Sequence, residues 1–235
     1  MGIFKTKGIV LAEHNMGDND KMITLLTPNG KYGCAAKGAK RPKSNLMAGT
    51  QYLCFGDFNV YKSISSYSIN QAEPIEIFYN IRLDVDKLMV ASKITKLTNE
   101  VTDENQNTYR ILQLTLNTLF MISESDKDLD FIYSIFKIRL LSLIGFKPIT
   151  DKCLNCGEKE IRYFSLKDNG FKCEACGKQD KGAIKISDTT IKAIRYILSS
   201  DAKKIYSFDL SDENKAQLKL VSKLYLNKCL DKEFE

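Results

Sequence analysis

Four cysteines stand in two copies of Cys-x-x-Cys-Gly, Cys153-Leu154-Asn155-Cys156-Gly157 and Cys173-Glu174-Ala175-Cys176-Gly177, with sixteen residues between the pairs. Two pairs at this spacing predict one metal ion. Each pair forms a knuckle with two sulfurs aimed at a common point, and the following glycine lets the backbone turn sharply. Four sulfurs leave no open coordination position, so the expected ion is a single structural Zn²⁺ with no catalytic role. An iron–sulfur cluster on the same sulfurs is the alternative. A redox dithiol would need one pair at the start of a helix in a thioredoxin-like βαβ unit, and would leave the second pair idle.

A second group acts through charge. No Asp or Glu occurs between Lys31 and Gly56, while Lys37-Gly38-Ala39-Lys40-Arg41-Pro42-Lys43-Ser44 places four cations in a loop that Gly and Pro keep irregular. Tyr32 and Tyr52 lie on the expected flanking strands. Cations that neutralise phosphates and aromatic faces that stack on bases are the two components of a single-strand binding site. Lys37, Lys40, Arg41, Lys43, Tyr32 and Tyr52 are therefore the candidate nucleic-acid residues, although composition alone also fits a solvated loop that binds nothing. The run from Gly33 to Lys40 is not a P-loop: the lysine stands one place too late after Gly38, and Arg41 occupies the place of the magnesium-binding Ser or Thr. His14 is the only histidine, and neither His-Glu-x-x-His nor Gly-x-Ser-x-Gly is present, so no covalent catalysis is expected. Asp18 and Asp20 read as a polar turn, because the other ligands of a calcium loop are missing.

These groups need elements to hold them. Runs rich in Val, Ile, Thr, Tyr and Phe predict strands at 3–12, 21–27, 31–37, 50–61 and 67–72, and Pro28-Asn29-Gly30 predicts a tight reversal between the second and third. Five short strands suit a small closed barrel of the OB type. After Pro74 the apolar spacing changes to three and four, which predicts helices. One covers 106–123 with Leu112, Leu116, Leu119 and Phe120 on its inner face; the next covers 129–144 with Ile132, Phe136, Leu140 and Leu143 inward, closed by Gly145 and Pro148. Two short strands at 162–166 and 170–172 accompany the cysteines. Helical spacing then returns behind Ser187 at Ile191, Ile194 and Leu198, and a last helix runs from Ser211 to about Leu230. The expected class is α+β in two domains: a five-stranded OB-fold barrel over 1–80, then an all-α domain over 81–235 interrupted by a zinc ribbon-like insertion at 149–186.

With 235 residues, 43% of them hydrophobic, the chain has ample material for packed cores. No apolar run reaches the roughly 18 residues that cross a bilayer, and the first residues lack a signal-peptide core, so a cytoplasmic protein without membrane contact is expected. Seven cysteines, four of them in tight pairs, suit metal binding in a reducing compartment, and Cys34, Cys54 and Cys229 read as buried thiols. The formal charge of +6 falls to about +4 with four thiolates and Zn²⁺.

Gly8-Ile9-Val10-Leu11, Gly17-Asp18-Asn19-Asp20, Leu26-Thr27-Pro28-Asn29-Gly30-Lys31 and Ala36-Lys37-Gly38-Ala39-Lys40-Arg41-Pro42-Lys43-Ser44 occur in the order and near the spacing of the RecO family of bacterial recombination mediators. The chain resembles that family over nearly its whole length, including the cysteine quartet, which some members lack; Asp18 stands where the family usually has Glu. The resemblance implies an OB-fold, a helical domain with an inserted zinc module, and a DNA repair function in the bacterial cytoplasm at the nucleoid. Such proteins bind single- and double-stranded DNA, anneal complementary strands and, with RecR, help RecA displace single-strand-binding protein, whose acidic C-terminal tail the helical domain can receive. The alternative is a helical protein-interaction scaffold whose DNA contact is incidental. A zinc enzyme is disfavoured by an all-cysteine site.

Overall fold

Alternating β-branched and aromatic residues become five strands in the computed structural model, which describes residues 2–234. They are β1 (Gly2–Met16), β2 (Asp20–Thr27), β3 (Gly30–Ala36), β4 (Phe55–Lys62) and β5 (Tyr67–Glu76), closed into a barrel in the order β1-β2-β3-β5-β4. β1 is longer than its sequence pattern suggests because it serves two neighbours. Residues 9–16 pair with β2 and residues 2–9 with β4, both antiparallel, and a register shift between Val10 and Ala12 bends the strand between them. Gly8 faces Gly56 across β1 and β4. A Cβ on Gly8 would stand 2.8 Å from the Leu26 carbonyl oxygen, and one on Gly56 would collide with that of Glu73, so both positions need glycine for the sheet to curl. Val10, Ile23, Leu25, Tyr32, Cys34, Phe58 and Val60 fill the interior.

The segment before β4 departs from expectation. Residues 50–54 are turns, not strand: Thr50 N–H donates to Leu46 O, Cys54 N–H donates to Gln51 O, and Leu53 takes a left-handed φ of 65°. Leu53 N–H and Val10 O still bond at 3.0 Å, so the segment closes the barrel without extending the ladder.

Three helices pack with the barrel: α1 (Tyr79–Arg82), α2 (Val85–Glu100), capped by Asp84, and α3 (Tyr109–Glu124). The Pro28-Asn29-Gly30 reversal forms as predicted, with Gly30 at φ 128°, and it docks on the α2–α3 loop. Thr108 Oγ1 donates to Thr27 O at 2.6 Å and accepts from Gly30 N–H at 3.0 Å, while Lys31 N–H donates to Asp103 O. The inner face of α3 agrees with the expected one at Leu112 and Leu119, which are buried, and departs from it at half-buried Leu116 and at Phe120. Ile111, Thr115, Thr118 and Ile122 are buried, the threonine hydroxyls donating to Ile111 O and Leu114 O, and Phe120 is 56% exposed. Arg110, Gln113, Asn117 and Glu124 form a polar stripe at helical spacing, and Phe120 falls within it.

The chain divides into two compact units between Ser125 and Asp126. The second begins with α4 (Leu129–Leu143), capped by the Asp128 carboxylate and followed by Gly145 at φ 101°. Next come β6 (Tyr163–Ser165), β7 (Gly170–Lys172), α5 (Glu174–Lys178) and β8 (Ala183–Lys185), then α6 (Asp188–Ser199) behind its Ser187 cap and α7 (Asp212–Leu230). The strands form one antiparallel sheet in the order β7-β6-β8. β8, only three residues long, has no sequence signal. Phe164 meets Phe171 and Tyr225 of α7 edge-on, with ring centroids 6.0 and 5.1 Å apart, and Arg195 of α6 donates to Thr150 O at 2.8 Å, so the sheet is fastened to the helices. The fold is thus α+β, an OB-type barrel followed by helices that carry an inserted cysteine module. Among the described residues no helix is long and apolar enough to cross a membrane.

Candidate metal centre and nucleic-acid interface

The four sulfurs of Cys153, Cys156, Cys173 and Cys176 lie within 4.8 Å of one another. A tetrahedron with ~2.3 Å metal–sulfur bonds has edges of about 3.8 Å, and the sulfurs of Cys156 and Cys173 stand 3.6 Å apart. The set therefore fits a four-coordinate ion. Burial alone would raise the Cys153 thiol, but hydrogen bonds from the backbone of Cys173, Cys156 and Asn155 draw it down to about 6. The neighbouring sulfurs of Cys156 and Cys173 push Cys176 up to about 12. Thiols crowded this closely resist ionising together, and a dication at their centre would remove the conflict.

The two knuckles are built differently. In the first, Gly157 turns at φ 78° and its N–H donates to Cys153 O, as expected for a turn glycine. In the second, Cys173 stands at the N-terminus of α5, so Gly177 is helical and makes no turn. Its glycine is required for another reason: a Cβ there would collide with the Tyr163 side chain, 2.3 Å from two of its ring carbons. A pair at a helix start is one element of a redox dithiol site, but the surrounding sheet is antiparallel and the βαβ context is missing.

Sequence reasoning did not find the charged cluster beside this centre. The Lys172 side chain, 5% exposed, meets Asp168 at 2.5 Å and Asp180 at 2.9 Å. Asp180 also accepts from Ser165 Oγ at 2.5 Å, and the Ser165 and Lys172 hydrogen bonds hold its carboxyl at about 2. Lys172 precedes Cys173 directly, so the ion pairs fix the strand that delivers the second knuckle.

On the barrel, Lys37, Arg41 and Lys43 are exposed and Lys40 is half-buried. Among the described residues none of the four meets a carboxylate within ion-pair distance. Their loop is a chain of turns fastened to the β1–β2 turn: Gly38 N–H donates to Asp20 Oδ1 at 2.7 Å and Lys40 N–H to Asn19 O at 3.0 Å. The expected polar turn at Asp18 and Asp20 thus has a definite task, since Asp20 anchors the basic loop.

The two tyrosines are not part of that surface. Tyr32 is 7% exposed, its ring packs against Phe4 and Tyr67, and its hydroxyl donates to Asn29 O. Strand alternation puts it on the inner face with Cys34 and Ala36. Tyr52 is half-buried; its hydroxyl bonds Thr95 Oγ1 of α2 at 2.8 Å and its carbonyl accepts from Arg82. Neither ring is free to stack on a base, and both serve packing.

Comparison with known families agrees with this architecture. The family profile described as Recombination protein O N terminal matches residues 1–78, and that described as Recombination protein O C terminal matches residues 82–235. A DNA repair protein RecO of Acetivibrio thermocellus is 41% identical, covering 100% of this chain and 94% of its own. Those of Alkaliphilus metalliredigens and Bacillus subtilis are 35% and 32% identical, covering 98% and 94% of this chain and 95% and 87% of theirs. With both family profiles matched in order and a full-length relative at this identity, the chain belongs to the RecO family.

Proposed function

We propose that the chain acts in DNA repair as a binding protein that makes and breaks no covalent bond. In this reading the barrel of residues 1–80 grips single- and double-stranded DNA through Lys37, Lys40, Arg41 and Lys43. The helical remainder, 81–235 with its insertion at 149–186, presents surfaces to protein partners. The observation that carries it is the basic loop: four cations without a carboxylate partner, held in a fixed conformation, in a member of a family whose relatives are named for DNA repair. Cations that screen two phosphate chains at once lower their mutual repulsion and make the collision of complementary strands productive, which is the physical basis of annealing. The further steps, cooperation with RecR, contact with the acidic tail of single-strand-binding protein and loading of RecA in the cytoplasm at the nucleoid, rest on family membership.

The test is oligonucleotide binding across a salt series with wild type and the Lys37, Lys40, Arg41, Lys43 quadruple alanine variant. Four phosphate contacts correspond to a loss of about 2.8 from the logarithmic salt slope on single strands and about 3.6 on duplex. Half-buried Lys40 brings the expected loss somewhat below these limits. An unchanged slope would remove the loop from the interface.

The ion in the cysteine centre is proposed to be zinc in a structural role, supported by four thiolates with tetrahedral spacing and no open position. Elemental analysis showing one zinc per chain, without visible absorption, supports this; a coloured protein containing iron contradicts it.

A further inference from the structure

Only half of the cysteine centre is shielded from solvent. Cys153 and Cys173 are 1% and 6% exposed, whereas Cys176 is half-buried and Cys156 lies open. A cavity of about 650 Å³ opens beside Cys176 and carries Lys167, Lys172 and Lys181 on its walls. Lys172 is held by Asp168 and Asp180. Lys167 and Lys181 are exposed, and among the described residues neither meets a carboxylate within ion-pair distance.

The two outward thiols also differ in what their backbone gives them. In the first knuckle the chain leaves its turn after Gly157, and the Glu158 N–H donates to Cys156 Sγ. The equivalent N–H of the second knuckle belongs to Lys178, the last residue of α5, where the helix ladder directs it to Glu174 O. Gly177 N–H is taken as well, by Cys173 O at 2.8 Å. A thiolate relieved of less charge by N–H donors is the stronger nucleophile towards an electrophile. Cys176 therefore combines nucleophilicity with an entry path.

We propose that Cys176 is an oxidation site: hydrogen peroxide entering this cavity reacts there first, and the metal is released as Cys176 and Cys156 become a disulfide. Cys176 Sγ attacks one peroxide oxygen, an S–O bond forms as the O–O bond breaks, and hydroxide departs beside the two unpaired lysines. The thiolate is the metal ligand, and the sulfenic sulfur that replaces it is not. The Cys156 thiolate, whose sulfur lies within 4.8 Å of that of Cys176, then attacks it, forming the S–S bond and expelling a second hydroxide. Each sulfur loses one electron and the peroxide takes both. Two thiolates remain, too few to retain the ion. The disulfide ties the first knuckle to α5, so the module stays linked after the ion has gone and can take it up again once reduced.

This inference rests on the zinc reading above and adds a reaction of its ligands. The full chain, with its zinc content measured first, is treated with hydrogen peroxide while a chromophoric chelator reads released ion, dimedone traps sulfenic acid and peptide mass spectrometry locates both products. No ligand is substituted, so folding of a variant is not at issue. One zinc released per Cys156–Cys176 disulfide is expected, with dimedone first on Cys176 and recovery of zinc on adding a dithiol and the metal. The Lys167→Glu/Lys181→Glu variant should start with the same zinc content and lose it about fivefold more slowly, the size of two exposed charge contacts. Equal rates in the two proteins overturn the cavity as the route. Zinc retained at peroxide levels that oxidise the thiols of the urea-unfolded chain overturns the oxidation site alone, as does dimedone on any other of the four cysteines before Cys176. A chain that holds no zinc under reducing conditions and takes none up overturns both readings.

Discussion

Replacing Asp180 with Asn tests whether the buried ion pairs beside the cysteine centre hold that module together. The carboxylate accepts from Ser165 Oγ at 2.5 Å, from Lys172 Nζ at 2.9 Å and from Gly182 N–H at 3.2 Å. Asparagine keeps the shape but has one accepting oxygen, so it can accept either from Ser165 or from Gly182, which use different oxygens of the carboxylate. It removes the negative charge facing a lysine whose side chain is 5% exposed. A hydrogen bond between charged groups contributes ~1.5–3 kcal/mol, and a buried charge that loses its only partner costs about 3–5 kcal/mol. Asp168 remains 2.5 Å from the same ammonium, so the expected loss is about 2 kcal/mol, and the Asp168→Asn/Asp180→Asn pair should approach the larger range. Urea unfolding followed by circular dichroism at several pH values measures it. The Ser165 and Lys172 hydrogen bonds depress the folded carboxyl from 3.8 to about 2, so its stabilisation is complete above about pH 4 and is lost as pH falls towards 2. Wild type and variant should differ by a constant amount from pH 7 to about 4 and converge below it. A variant as stable as wild type at pH 7, or a gap that widens in acid, would refute the argument.

Removing the metal with a strong chelator, verified by elemental analysis, should loosen the unit that follows Ser125 before the barrel, because the cysteine segment has little core of its own; proteolysis within 149–186 reads this, and unchanged protection contradicts it. Burial pushes the Cys34 thiol up to about 12 and the Cys54 thiol up to about 11, so neither should react with iodoacetamide at pH 8 until urea unfolds the barrel. With folded values above the ordinary 9.0, their stabilising effect is complete below pH 9 and disappears as pH rises towards 11 to 12. Thr108→Val strips Thr27 O of a donor and Gly30 N–H of its acceptor, both at buried hydrogen bonds. A loss of ~1–3 kcal/mol in urea unfolding is expected, and a difference under half a kilocalorie would contradict the role given to that hydroxyl.

Features set by neighbours in the chain were legible in the sequence. The cysteine spacing named all four candidate ligands, Pro28-Asn29-Gly30 named its hairpin, and Gly145 and Ser187 marked helix ends because caps act within a few residues. What escaped depends on distant partners. Tyr52 looks like a free aromatic beside a basic loop until Thr95, 43 residues on, takes its hydroxyl. The Lys172 cluster draws on residues from three parts of the insertion, and β8 exists only because β6 offers it an edge. Tyr32 is a different case: alternation along β3 already placed it inward with Cys34 and Ala36, and the proximity of the lysines outweighed that signal.

The anchoring of the basic loop by Asp20 and Asn19 bears on how fast and how selectively it can work. Fixing one residue of a free chain costs roughly 1–2 kcal/mol of backbone entropy, and a loop that orders itself around each ligand meets that cost at every encounter. Here two hydrogen bonds from the loop's own N–H groups, one to the Asp20 carboxylate and one to Asn19 O, settle it during folding. The cations therefore meet an approaching polyanion already spaced, and their long-range attraction acts on diffusion without waiting for a conformational search. A loop built in this way attracts any polyanion that fits its spacing, and the attraction weakens as salt rises.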